Sequence, residues 1–68
     1  MRMDGIWIEC KNRLPEPNVD VLIFSETERE KGALIAYIPR GEKYFVGLDE
    51  WRYDYVTHWM PLPEPPVD

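Results

Sequence analysis

Val19-Asp20-Val21-Leu22-Ile23-Phe24-Ser25 decides how this chain reads. From Val21 to Phe24 every side chain is apolar, so both faces of an extended backbone are apolar there. That pattern suits a central strand covered on two sides. Ala33-Leu34-Ile35-Ala36-Tyr37-Ile38 repeats it and predicts a second strand of the same kind. Between them, Glu26-Thr27-Glu28-Arg29-Glu30-Lys31 has no apolar face and ends at Gly32. It is long enough for one helical turn but too short to stand alone as a helix. The segment reads as a solvated hairpin connection.

Further out the signals are shorter. Upstream, Ile6-Trp7-Ile8-Glu9-Cys10 alternates, with Ile6, Ile8 and Cys10 on one face and Trp7 and Glu9 on the other, a short strand. Lys11-Asn12-Arg13-Leu14-Pro15-Glu16-Pro17-Asn18 cannot form a regular helix or a central strand, because its prolines lack the N–H. It predicts an extended loop with Leu14 tucked inward ahead of Pro15. Downstream, Pro39 to Lys43 reads as a turn and Tyr44-Phe45-Val46-Gly47 as a short strand. Trp51, Tyr53 and Tyr55 alternate with Arg52 and Asp54, which predicts an extended segment with one aromatic face. Val56-Thr57-His58-Trp59-Met60 is the last strand, ended by Pro61. Pro61 to Pro66 then reads as a polyproline strap.

The expected fold is therefore mainly β. One domain spans residues 1–68, with an ordered core of about 6–66. It is a small antiparallel sheet, a meander of four to five strands, with a Pro-rich loop and a polyproline C-terminal strap. An α+β arrangement with one short helix is the alternative.

Composition narrows the function. Hydrophobic residues make up 44% and aromatics 13%, too many for a disordered chain. No apolar run is long enough to span a bilayer, so no membrane partner is expected. The opening Met1-Arg2-Met3-Asp4-Gly5 lacks the apolar stretch of a secretory signal. Cys10 is the single cysteine and forms no internal disulfide, which fits a reducing cytoplasm. With 13 acidic and 8 basic residues the net charge is −5, and no basic cluster exists to displace counterions from phosphates. Nucleic acid is not an expected partner.

Two stretches, taken together, carry a resemblance. One is Trp7-Ile8-x-x-Lys11-x-Arg13-Leu14-Pro15-Glu16-Pro17, followed by Val21-Leu22-Ile23. The other is Val56-Thr57-His58-Trp59-Met60-Pro61-Leu62-Pro63-Glu64-Pro65-Pro66. In this order they resemble the domain of unknown function 551 family of small phage, prophage and bacterial proteins. The resemblance implies a gene of temperate phages expressed in the cytoplasm of a bacterial host. It implies no activity and no site residues.

Each candidate for chemistry has a plainer reading beside it. Cys10 and His58 would make a nucleophile and base if the first and last strands paired. The plainer reading has Cys10 as a small core hydrophobe and His58 packed among aromatics, bonded to a backbone carbonyl. Arg13 is suited to a carboxylate or phosphate ligand, or to bracing its own loop. One His and one Cys cannot complete a zinc site without converging carboxylates. Trp7, Trp51 and Trp59 are either partner anchors or core. Trp7 and Trp59 read as core, and Trp51, flanked by Asp49, Glu50 and Arg52, as exposed. Pro63-x-x-Pro66 has the shape that aromatic grooves recognise, but carries no basic residue, and reads better as a strap. Glu26, Glu28, Glu30, Asp49, Glu50 and Asp54 could imitate DNA phosphates, or simply be a solvated surface.

No residue is assigned a catalytic, cofactor-binding or metal-ligating role, and no cofactor is expected. The leading expectation is a non-catalytic protein-interaction module binding a host or phage protein through Trp51, Tyr53 and Tyr55, with Asp49 and Glu50 beside them. The alternatives are a minimal ligand binder or enzyme built on Cys10, Arg13 and His58, and, more remotely, an acidic DNA mimic. An open sheet edge would also allow a homodimer.

Overall fold

The computed structural model describes residues 6–63. Val21–Ser25, the most apolar segment, forms strand β2 in the interior of a six-stranded antiparallel sheet. The other strands are β1 (Ile8–Glu9), β3 (Leu34–Tyr37), β4 (Phe45–Gly47), β5 (Arg52–Tyr53) and β6 (Val56–Pro61). Their order is β1-β6-β2-β3-β4-β5. The meander expected from sequence is present from β2 to β5, but the sheet has six strands rather than four or five. The last strand returns across the sheet and inserts between β1 and β2.

Register sorts the side chains. Ile8 faces Trp59, Trp59 faces Ile23, and Ile23 faces Leu34. Val21, Ala36 and Gly47 form a second cross-sheet row. These residues share the inner face, where Val21, Ile23, Ala36, Ile38, Phe45, Tyr53 and Trp59 form the core. Ile8 and Cys10, at one end of the sheet, pack on the same cluster as Tyr53 at the other. The right-handed twist of the strands lets a single sheet close over its own side chains in this way. The opposite face carries Glu9, His58 and Phe24 in one row and Leu22 with Met60 and Ile35 in the next.

Register also corrects two expectations. Trp59 is core, but Trp7 is 40% exposed. It precedes Ile8 and so falls on the outer face. Leu14 is exposed and Pro15 is buried in its place. The loop is tied down instead by Asn18, at φ 63°, whose N–H donates to the Ile38 carbonyl at 2.8 Å.

Glu26–Lys31 is a six-residue 3-10 helix, interrupted at Glu28 by non-helical dihedrals. It joins two antiparallel neighbours, as a hairpin connection does, and buries no residue. Pro61 does not end the last strand at Met60 as expected: it is itself the final residue of β6, opposite Val21. Of the expected strap only Leu62 and Pro63 follow the strand among the described residues, and Glu64, Pro65 and Pro66 lie outside them.

Candidate functional site

The β4–β5 connection builds one wall of a groove. Gly47 N–H donates to the Trp51 carbonyl and Glu50 N–H donates to the Gly47 carbonyl, both at 2.9 Å. The turn requires Glu50 in the left-handed region, at φ 67°. Asp49 locks it from inside. Its Oδ1 accepts from Trp51 N–H at 3.0 Å and its Oδ2 accepts from the Tyr53 hydroxyl at 2.8 Å. These bonds, that from Trp51 first, hold the Asp49 carboxyl below its ordinary pKa. The bond to Asp49, and then burial, push the Tyr53 hydroxyl above its own.

The β5–β6 connection builds the other end. Tyr55 is also left-handed, at φ 60°, an unusual conformation for a bulky side chain. Two hydrogen bonds from the end of β2 hold it there. Ser25 Oγ donates to the Asp54 carbonyl at 2.7 Å, and Glu26 N–H donates to the Tyr55 carbonyl at 3.1 Å. Ser25 is fully buried, and its hydroxyl has one proton to give, so Thr27 Oγ1 is the donor in their 3.1 Å contact.

Between these anchors lies an open groove of about 530 Å³, lined by Thr27, Glu28 and Lys31 on one side and by the Trp51-to-Tyr55 segment on the other. Trp51 is 69% and Tyr55 72% exposed, whereas Tyr53 is 8% exposed. The expected single face of Trp51, Tyr53 and Tyr55 is thereby corrected. Tyr53 turns its ring into the core and only its hydroxyl reaches out to Asp49. The two left-handed residues confine β5 to Arg52 and Tyr53, so alternation does not continue to Trp51 and Tyr55. Asp49 braces the turn under Trp51, and Glu50 sits exposed beside it.

Charge around the groove is mostly paired. Lys31 lies 3.2 Å from Glu28, which raises its pKa, and Arg52 lies 3.1 Å from Asp54. Arg52 also stacks on Tyr44, 4.4 Å from the ring centroid. Arg29 pairs with Glu26 at 3.1 Å. Three of the six acids suggested for DNA mimicry therefore sit beside a cation.

The other set of candidates is split by the sheet. Cys10 N–H donates to the Thr57 carbonyl, so Cys10 stands opposite Thr57 and turns toward the core. His58 faces Glu9 and Phe24 on the outer side. First and last strands do pair, yet the pairing sends thiol and imidazole to opposite faces. Burial pushes the Cys10 thiol pKa up, which disfavours the thiolate. His58 Nδ1 bonds to Thr57 Oγ1 at 2.9 Å, not to the expected backbone carbonyl, and Nε2 lies 3.9 Å from Glu9 Oε2. Arg13 braces its own loop: its carbonyl accepts from Trp59 Nε1 at 2.9 Å, and its guanidinium lies 5.8 Å from the Trp59 ring centroid.

Among the described residues no three His, Cys, Asp or Glu side chains converge to hold a metal ion. Among the described residues no helix is long and apolar enough to cross a membrane. The outer sheet edges, β1 and β5, are two residues long each and leave few main-chain groups for a second copy to pair with.

No solved structure matches the chain. Over 65 residues it is 35% identical to an uncharacterized 7.8 kDa protein of Salmonella phage P22, a match covering 91% of this chain and 97% of that protein. The model of the family described as "Protein of unknown function (DUF551)" matches residues 6–67. The strand pattern, the Pro-rich loop and the closing Thr-His-Trp-Met-Pro run thus belong to a phage-type protein, and the chain is a member of the DUF551 family.

Proposed function

We propose that this protein is a non-catalytic interaction module that acts in the bacterial cytoplasm on a host or phage protein, through the groove between Trp51 and Tyr55. One observation carries this reading. Two large aromatic side chains stand well out of a small domain, and each is placed by a left-handed, non-glycine residue. Backbone of that kind costs of order 1–3 kcal/mol per residue and persists where surrounding structure enforces it, commonly at binding sites. Here Asp49 and buried Ser25 enforce it. A domain of 68 residues has little apolar area to spare, and leaving two aromatic rings in water forgoes their burial. Tyr and Trp on a rigid base are the side chains that most often anchor protein partners. The phage relative and the lone free thiol fit a reducing host cytoplasm.

The test is affinity capture from a host lysate with tagged wild-type, Trp51→Ala and Tyr55→Asn proteins. Asn accepts the left-handed backbone, so the second variant removes the ring without disturbing the turn. A stoichiometric partner lost with both variants supports the reading. Capture that is unchanged with both rings removed sinks it.

A further inference from the structure

We infer that the partner segment taken by the Trp51–Tyr55 groove is an extended, proline-containing peptide bearing a basic side chain. This rests on the reading of that groove as the contact surface. Three independent features point to this chemistry.

The first is where the main-chain hydrogen bonds go. A peptide joining the sheet as an extra strand needs a row of free N–H and C=O groups. Strand β5 offers two residues, and just beyond it the carbonyls of Asp54 and Tyr55 already accept from Ser25 and Glu26. At the other end the Trp51 carbonyl accepts from Gly47 and the Trp51 N–H is held by Asp49. Recognition therefore falls to the rings. A polyproline segment suits this, because it has no internal hydrogen bonds to complete and presents flat rings to aromatic ridges.

The second is shape. The space between the 3-10 helix and β5 is an open trough bounded by exposed rings, not an enclosed cavity. It can take a narrow extended chain across its length, while a small ligand would stay largely in water.

The third is charge. Glu28 and Asp54 line the groove against Lys31 and Arg52, two acids to two bases. The turn beside it adds two further acids, Asp49, bonded to Trp51 and Tyr53, and Glu50, next to Trp51. Both cations already pair with acids of the rim, while the Glu50 carboxylate is exposed beside Trp51. The whole chain carries −5. A basic side chain is drawn to this rim, and an acidic peptide or a phosphate backbone is repelled.

The experiment is a titration of the full chain, followed by the NMR signals of the Trp51 indole and the Tyr55 ring. The probes are a capped proline-rich peptide carrying arginine, its counterpart with Glu for Arg, and its counterpart with Ala for Pro. The Arg–Pro peptide is expected to shift both signals and to bind at least about tenfold more tightly than either counterpart. Trp51→Ala and Tyr55→Asn, each first shown to keep the wild-type spectrum elsewhere, are expected to weaken it by a similar factor. Equal binding of the Glu or the Ala counterpart overturns the inference, as does binding insensitive to both variants. Absence of any shift at millimolar peptide also overturns it. Lysate capture distinguishes the two levels. A partner that Trp51→Ala abolishes, with all three peptides inert, leaves the contact surface standing and removes only this partner chemistry.

Discussion

Ser25 Oγ donates a 2.7 Å hydrogen bond to the carbonyl of Asp54, across a sequence separation of 29 residues. This bond fastens the turn that raises Tyr55 to the end of the central strand. It is fully buried on the serine side. It joins the core to the groove through a backbone carbonyl of the groove's own segment.

Ser25→Ala removes the donor and leaves the Asp54 carbonyl without its partner. A lost bond of this kind costs roughly 1–3 kcal/mol. Urea unfolding should show that loss, together with broadened NMR signals for Asp54 and Tyr55. Thr27→Ala, at an exposed hydroxyl, should cost much less. Equal effects of the two substitutions would place the anchor elsewhere.

Gly47 faces a different constraint. Its backbone is extended, so conformational freedom is not at issue. A Cβ there would lie 2.6 Å from Tyr53 Cε2 and 2.8 Å from Asp49 Oδ1. Gly47→Ala should push the Tyr53 ring off the core and break the Asp49 contacts, at a cost of about 1–3 kcal/mol. For a domain of this size each kcal/mol lowers the melting temperature by roughly 4–8 °C. A melting temperature unchanged from wild type would mean that the turn yields freely.

The Asp49–Tyr53 bond sets a pH window at each end. Asp49 has a lowered pKa in the folded chain, so its contribution is present above the ordinary carboxylate pKa of about 3.9. It is lost as pH falls from there through the folded value. Tyr53 has a raised pKa, so its contribution is present below the ordinary tyrosine value of about 10 and is lost as pH rises above that. Asp49→Asn should flatten the acid limb of a plot of urea midpoint against pH, and Tyr53→Phe the alkaline limb. Limbs unchanged in both variants would show that this pair does not couple to folding.

Much of the sheet was legible in local sequence, because alternation and apolar runs are local signals. The strands β2, β3, β4 and β6 and the exposed Glu26–Lys31 link all follow from them. Strand order did not, because nothing near Val56 says that its strand will cross back to lie beside β1. Trp7 shows the cost: alternation put it on the face of Glu9, but only the pairing of Ile8 with Trp59 shows that this face is the outer one. The candidate site was half legible. Charged neighbours marked Trp51 as exposed. Period-two counting failed from Trp51 to Tyr55, since Glu50 and Tyr55 are left-handed without being Gly or Asn. That conformation is imposed by Asp49 and by Ser25, and Ser25 lies a whole sheet away in sequence.

Register also decides the fate of the Cys10 and His58 pairing. Cys10 packs toward the core while both imidazole nitrogens of His58 are directed to Thr57 and Glu9. The two residues border one shallow groove without the imidazole engaging the thiol, and burial favours the protonated thiol. Cys10 should therefore react with a disulfide reagent at neutral pH far more slowly than an exposed free thiol, and speed up only in denaturant. His58→Ala should leave the native labelling rate unchanged, because the imidazole's near neighbours are Thr57 and Glu9 rather than the thiol. Should His58→Ala slow a fast native reaction, thiol and imidazole are coupled after all, and the outer-face position of His58 is wrong.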